Sequence, residues 1–166
     1  MSFIFLAGCG TANKTTVTFD GLQVNISADL KTVSNAQLDS YQIINKILKA
    51  YKNGTETLII ARSSLNANIT PQEYATASKQ KIAQGVPGYQ HLDDSATSFS
   101  CGKSTIQGYT HSFSIADTQP NNNAGKTYII QYYFIANGTA YIISQADRTS
   151  AHYSDFTSML SSLHCS

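Results

Sequence analysis

Two short runs in which apolar and polar residues alternate, Thr15–Phe19 and Leu22–Ile26, stand on either side of Asp20-Gly21. Alternation with period two marks a half-buried strand, and Asp-Gly readily supplies the two positive-φ residues of a tight turn, so this stretch predicts a β-hairpin. Ser34-Asn35-Ala36-Gln37 then has the S-x-x-Q form of a helix-capping box. Leu38, Tyr41, Ile44, Leu48 and Tyr51 follow at helical spacing until Asn53-Gly54, which predicts a helix over 35–52. Thr57–Ser63 reads as an apolar strand. Thr70-Pro71-Gln72-Glu73 combines an N-cap threonine, proline at the first helical position and glutamate three after the cap. The helix it starts should run to about Gln84, where Gly85, Pro87 and Gly88 end it.

Four longer β segments come next: Tyr89–Cys101, Thr105–Ile115, Lys126–Ala136 and Thr139–Ala146. Asn137-Gly138 joins the last two and is the strongest hairpin signal in the chain. Pro120–Ala124 is a low-complexity stretch that reads as an exposed loop. From Ser150 a terminal helix is predicted, with Tyr153, Phe156, Leu160 and Leu163 on its packing face. Strands, helices, a block of antiparallel strands and a closing helix, without internal repeats, describe an α+β protein.

Composition narrows the function. The chain has 166 residues, 42% hydrophobic and only 13% charged, with a formal net charge of +1. That is enough apolar residue for one ordinary core, and the charge balance excludes the basic footprint of a general nucleic-acid binder. Ten tyrosines and no tryptophan make tyrosine the enriched chemical group. Tyr128, Tyr132 and Tyr133 on one strand and Tyr141 on its hairpin partner could present an aromatic recognition surface, to which Tyr109 and His111 would add. Period-two spacing puts Tyr128, Ile130, Tyr132 and Phe134 on one face and Ile129, Tyr133 and Ile135 on the other, and a sheet covered on both sides accounts for them as core without any partner.

Catalytic signatures are few. Gly102-Lys103-Ser104 and Gly125-Lys126-Thr127 echo the end of a phosphate-binding loop, but Thr97 and Pro120 stand where its first glycine belongs. No G-x-S-x-G elbow occurs, so no serine can be singled out as activated. The histidines His91, His111, His152 and His164 show no i, i+4 pair on a predicted helix, and no CxxC is present; neither a metal site nor a cofactor is expected. His111 shares a strand face with Tyr109 and Phe113 and is either a hydrogen-bonded core histidine or part of a pocket. Asp93 and Asp94, adjacent on a strand, point to opposite faces, which favours a solvated turn or strand edge over a cation site.

The opening strand pair, the Thr70-Pro71-Gln72-Glu73-Tyr74 helix start, Gly108-Tyr109 in a strand, Gln131-Tyr132-Tyr133-Phe134 followed by Gly138 and Tyr141, and the final amphipathic helix together resemble the PsbP-like domains. That superfamily includes the photosystem II extrinsic protein PsbP, a Ran-binding nuclear import factor and many bacterial lipoproteins. The resemblance covers residues 15 to 165 and implies a central antiparallel sheet with helices packed against it. It carries no catalytic residues over. The amino end, Met-Ser-Phe-Ile-Phe-Leu-Ala-Gly-Cys, closes on Leu6-Ala7-Gly8-Cys9, which resembles the lipobox of bacterial lipoproteins and implies a diacylglycerol on Cys9.

On that reading residues 1–8 are a truncated signal remnant lacking the basic n-region, residues 9–14 a lipidated tether, and 15–166 a single PsbP-like domain. An apolar first strand with a fortuitous match is the other reading. With Cys9 assigned to lipid, Cys101 and Cys165 remain, and an even remainder in an exported chain suggests one disulfide; two buried free thiols are the alternative. The expected function is that of a non-enzymatic, membrane-anchored extracytoplasmic lipoprotein binding a partner protein or envelope component. A small hydrolase with a pocket near His111 is the rival, decided by whether polar groups converge there. A soluble intracellular adaptor would require Cys101 and Cys165 reduced and Cys9 unmodified.

Overall fold

The computed structural model describes residues 13–34, 46–64, 69–116, 125–148 and 153–166. The leader with Cys9, the 35–45 part of the predicted helix, the Pro120–Ala124 loop and the predicted helix start at Ser150 lie outside them.

Strands β1 (Lys14–Phe19) and β2 (Leu22–Ser27) form the amino-terminal hairpin, turned by Asp20 at φ 47° and Gly21 at φ 76°. There follow β3 (Lys31–Thr32), β4 (Lys46–Asn53), β5 (Glu56–Ser64), helix α1 (Pro71–Gly85), β6 (Gln90–Cys101), β7 (Ser104–Ala116), β8 (Lys126–Ala136), β9 (Thr139–Asp147), helix α2 (Tyr153–Leu160) and β10 (His164–Cys165). A seven-stranded antiparallel sheet runs β3-β4-β5-β9-β8-β7-β6, and a three-stranded sheet runs β1-β2-β10. The arrangement is α+β, with helices packed against antiparallel sheet.

Both faces of the large sheet are covered, as its two apolar faces require. On one face Leu58, Ile60, Ile130, Tyr132, Phe134, Tyr141 and Ile143 form a core with Val17, Phe19, Leu22 and Val24 of the small sheet and with Phe156 and Met159 of α2. On the other face α1 lays Ala75 and Tyr74 against Tyr133 and Ile142. The helix start has the geometry its residues prescribe. Thr70 Oγ1 accepts from the Glu73 amide at 3.2 Å, Glu73 Oε2 accepts from the Thr70 amide at 2.7 Å, and Pro71 occupies the first turn, where no backbone donor is needed.

Two predicted elements are corrected. Residues 46–52, expected in a helix, form β4, an antiparallel partner of β5. A register shift between Ile47 and Lys49 leaves Leu48 as an extra residue, which lets Leu48 and Tyr51, three apart, both pack on the main core. The terminal helix stops at Leu160 instead of running past Leu163. The Ser161 and Ser162 hydroxyls donate to the Thr157 and Met159 carbonyls at 2.9 and 2.6 Å, and Leu163 N donates to Leu160 O at 3.0 Å, tightening the chain out of the helix. His164 and Cys165 then pair with Gln23 and Leu22 of β2. Cys101, the last residue of β6, and Cys165 are disulfide-bonded with Cα atoms 4.8 Å apart.

Candidate functional site

In a regular strand, residues three apart point to opposite faces. His91 and Asp94 escape that rule because of a bulge in β6. His91 pairs with Phe113 and Asp93 with Ser112, leaving Leu92 as the extra residue, after which Asp94 stands directly opposite His111. Phe113 and His111 share a face of β7, so His91 and Asp94 share it too. Bulges re-aim side chains in this way. Helix α1 brings Lys79 over the same spot, and Tyr89, entering β6, closes it from the side.

Asp94 is the hub. Its Oδ1 lies 2.5 Å from His111 Nδ1, while its Oδ2 accepts from Lys79 Nζ at 2.7 Å and lies 3.2 Å from His91 Nε2. The second nitrogen of His111, Nε2, meets the Tyr89 hydroxyl at 3.2 Å. The His91 and His111 rings stack at 12° with centroids 5.5 Å apart, and Phe113 stacks beneath His111. The donor atoms of His91, Asp94 and His111 all lie within 4.8 Å of one another. Beside them opens a pocket of about 430 Å³, walled by Ala75, Thr76, Lys79 and Gln80 of α1 and by Tyr89 and Tyr109.

The charges are distributed unevenly over this network. Burial works against ionising Asp94, but the hydrogen bonds from Lys79 and His111 outweigh it and bring the carboxyl from its ordinary 3.8 to about 2. Burial lowers the His111 value below 6.5, favouring the neutral ring, and the Asp94 hydrogen bond only partly opposes that. A neutral His111 that donates from Nδ1 to Asp94 and accepts at Nε2 from Tyr89 satisfies every contact. Lys79, its value raised by the same carboxylate, supplies the positive charge.

Both depressed values act on stability with one sign. A depressed group contributes fully above its unfolded value and loses that contribution as pH falls through the folded one. Thermal unfolding followed from about pH 7 to about pH 2 should show stability falling as pH drops below the ordinary His value of 6.5, and falling further from 3.8 down to about 2 as Asp94 protonates. Asp94→Asn should flatten the lower part of that curve. An unchanged acid limb in the variant would refute the assignment.

The expected aromatic surface is corrected. Tyr132, Tyr133 and Tyr141 are 1%, 0% and 4% exposed and belong to the two cores, because their strands are central and covered on both faces. Tyr128 and Tyr109 are half-buried, and only Tyr109 reaches the pocket. His111 is fully buried, yet its ring edges into the pocket wall, so it is at once a hydrogen-bonded core residue and a pocket residue. Asp93 and Asp94 do face opposite ways, but Asp94 is a paired hub and not a solvated edge. Neither phosphate-loop echo opens a helix: Gly102-Lys103 is the β6–β7 turn, and Gly125-Lys126 leads into β8. Lys79, Tyr89 and His91 were not singled out from the sequence. A His-x-x-Asp on a strand next to an isolated histidine on its neighbour is the signal that could have found them, given the bulge.

No protein-family model matches the chain, and no curated protein is similar to it in sequence. Solved structures do match it. Cyanobacterial PsbP (CyanoP) from Synechocystis is 14% identical with a TM-score of 0.64, over 96% of each chain. The Ran-binding protein Mog1p of Saccharomyces cerevisiae is 10% identical with a TM-score of 0.57, over 93% of this chain and 96% of its own. LpqN, involved in cell envelope biogenesis of Mycobacterium tuberculosis, is 14% identical with a TM-score of 0.51, over 89% of this chain and 85% of its own. The chain has the PsbP-like fold.

Proposed function

We propose that this is a membrane-anchored extracytoplasmic lipoprotein whose PsbP-like domain binds a partner protein or envelope component at the pocket between α1 and the β6–β7 strands, without catalysing a reaction. Polar groups do converge beside His111, the feature on which the hydrolase rival depended, but they are already paired with one another, and that pairing carries the reading. Asp94 holds Lys79, His91 and His111, and the His111 nitrogen turned away from Asp94 meets the Tyr89 hydroxyl and not a serine. Such a site can orient a ligand by shape and charge. Its tyrosines offer rigid contact area, and a Ran-binding protein and a cell-envelope protein share the fold. A Cys101–Cys165 bond suits an oxidising compartment. No helix among the described residues is long and apolar enough to cross a membrane, which fits attachment through a lipid on Cys9.

The reading is tested in cells expressing the gene with its upstream codons. Intact mass of the membrane fraction should show a chain starting at Cys9 and carrying diacylglycerol, and Cys9→Ser should release the protein. Soluble protein retaining Met1 would sink the anchor. A photo-crosslinking residue at Gln80, in the pocket wall, should capture a defined partner in the native envelope that the same residue at Lys103, in the β6–β7 turn, does not. Identical adducts at both positions, or none at Gln80, would refute the proposed surface.

A further inference from the structure

We propose that His91, Asp94 and His111 form a binding site for a borderline divalent transition metal of the zinc type, with Lys79 standing in for the cation in the metal-free protein. The donor set decides the class. Two imidazoles and one carboxylate suit zinc, cobalt or nickel, whereas calcium and magnesium require oxygen ligands. Metal–ligand bonds of about 2.0–2.2 Å put the ligand atoms of a tetrahedral site roughly 3.3–3.6 Å apart. His91 Nε2 and Asp94 Oδ2 are already 3.2 Å apart, and the full set lies within 4.8 Å, so small side-chain rotations on two paired strands complete it.

The surroundings supply what such a site needs. Metal-bound imidazole normally hydrogen-bonds through its other nitrogen to an outer partner that fixes the ring. Tyr89 holds that place for His111, at 3.2 Å from Nε2. A tyrosine hydroxyl can donate or accept, so when the metal takes Nδ1, the proton moves to Nε2 and Tyr89 becomes the acceptor. His111 changes tautomer without a net gain or loss of protons. Lys79 Nζ, 2.7 Å from Asp94 Oδ2, supplies the positive charge that the carboxylate would otherwise take from the cation. It is anchored on α1 and partly exposed, so it can withdraw. The pocket beyond leaves a fourth coordination position for a donor atom of the bound partner.

The test uses the whole oxidised chain, without a histidine tag, stripped by chelator and titrated with Zn²⁺ by calorimetry and with Co²⁺ by visible absorption. One equivalent should bind, and the Co²⁺ complex should show the intense bands of four-coordination. Nitrogen chemical shifts of His111 should pass from the Nδ1–H to the Nε2–H tautomer. His91→Ala, at an exposed position that does not threaten the core, should weaken binding by about tenfold or more, and Lys79→Met should tighten it by removing the competing charge. No uptake of either metal by the wild type, or equal affinity in His91→Ala, would overturn the site. Equal affinity in Lys79→Met would overturn the lysine's part in it.

Discussion

Replacing Cys165 by serine should lower the stability of the oxidised protein by about 4 kcal/mol, the chain-entropy value for releasing a loop of 64-residue separation. The bond joins the free edge of the seven-stranded sheet to the third strand of the small one. Without it, β10 is held by two residue pairs with β2, by Ser166 N donating to Gly21 O at 3.0 Å, and by the turn through Ser162, whose hydroxyl accepts from Asn25 N at 2.8 Å. The loss should therefore be felt first where β10 and α2 cover the core. Denaturant unfolding of wild type, reduced wild type and Cys165→Ser measures the size. Hydrogen exchange measures the place, with protection lost in β2 and α2 before β8 and β9. Coincident midpoints for the oxidised wild type and the variant would show that the crosslink contributes nothing.

Gly108→Ala should cost about 3 kcal/mol, at the upper end of the usual overpacking range. Gly108 lies in β7 opposite Phe134, and a Cβ built on it would fall 2.1–2.3 Å from the hydroxyl and ring atoms of Tyr132. The large ring of Tyr132 crosses the strand there because β7 offers no side chain in its way. Tyr132 is 1% exposed and stacks on Phe134 with centroids 5.4 Å apart, so it cannot swing aside into solvent. Tyr132→Leu should relieve the clash. The double variant should be more stable than the sum of the two single losses predicts, a coupling read from a four-protein unfolding cycle. Strict additivity would mean that the ring is not what the new methyl meets.

The elements legible in the sequence were those whose local chemistry and burial agree. Thr70-Pro71-Gln72-Glu73 prescribes a helix start by itself, Asn137-Gly138 takes φ 50° and 72° as its turn demands, and the alternation along β8 matches the two cores it feeds. Two of the features that stayed hidden share one cause. A bulge adds a residue to a strand and turns period two into a spacing of three, which a sequence shows as helix or as noise. At Leu48 and Tyr51 it imitated a helix face in what is β4. At His91 and Asp94 it concealed a cluster, since two residues three apart on a regular strand cannot meet. The burial of Tyr132, Tyr133 and Tyr141 was undecided for another reason: alternation shows that both faces are apolar, but only the tertiary arrangement shows what covers each.

The crosslink also governs how the molecule would answer a pull. Tension applied across the domain from either side of the chain passes from β10 through the Cys165–Cys101 bond directly into β6. Strands β7, β8 and β9 and helix α2 lie between the two cysteines, inside a closed covalent ring that no tension between the termini can lengthen. The extensible part is everything up to β6. His111 sits within the ring, whereas Lys79, Tyr89, His91 and Asp94 lie on the extensible part, so the boundary between what yields and what holds runs through the pocket itself. Under such a load the Asp94–His111 contact would part while β7, β8 and β9 stayed joined inside the ring.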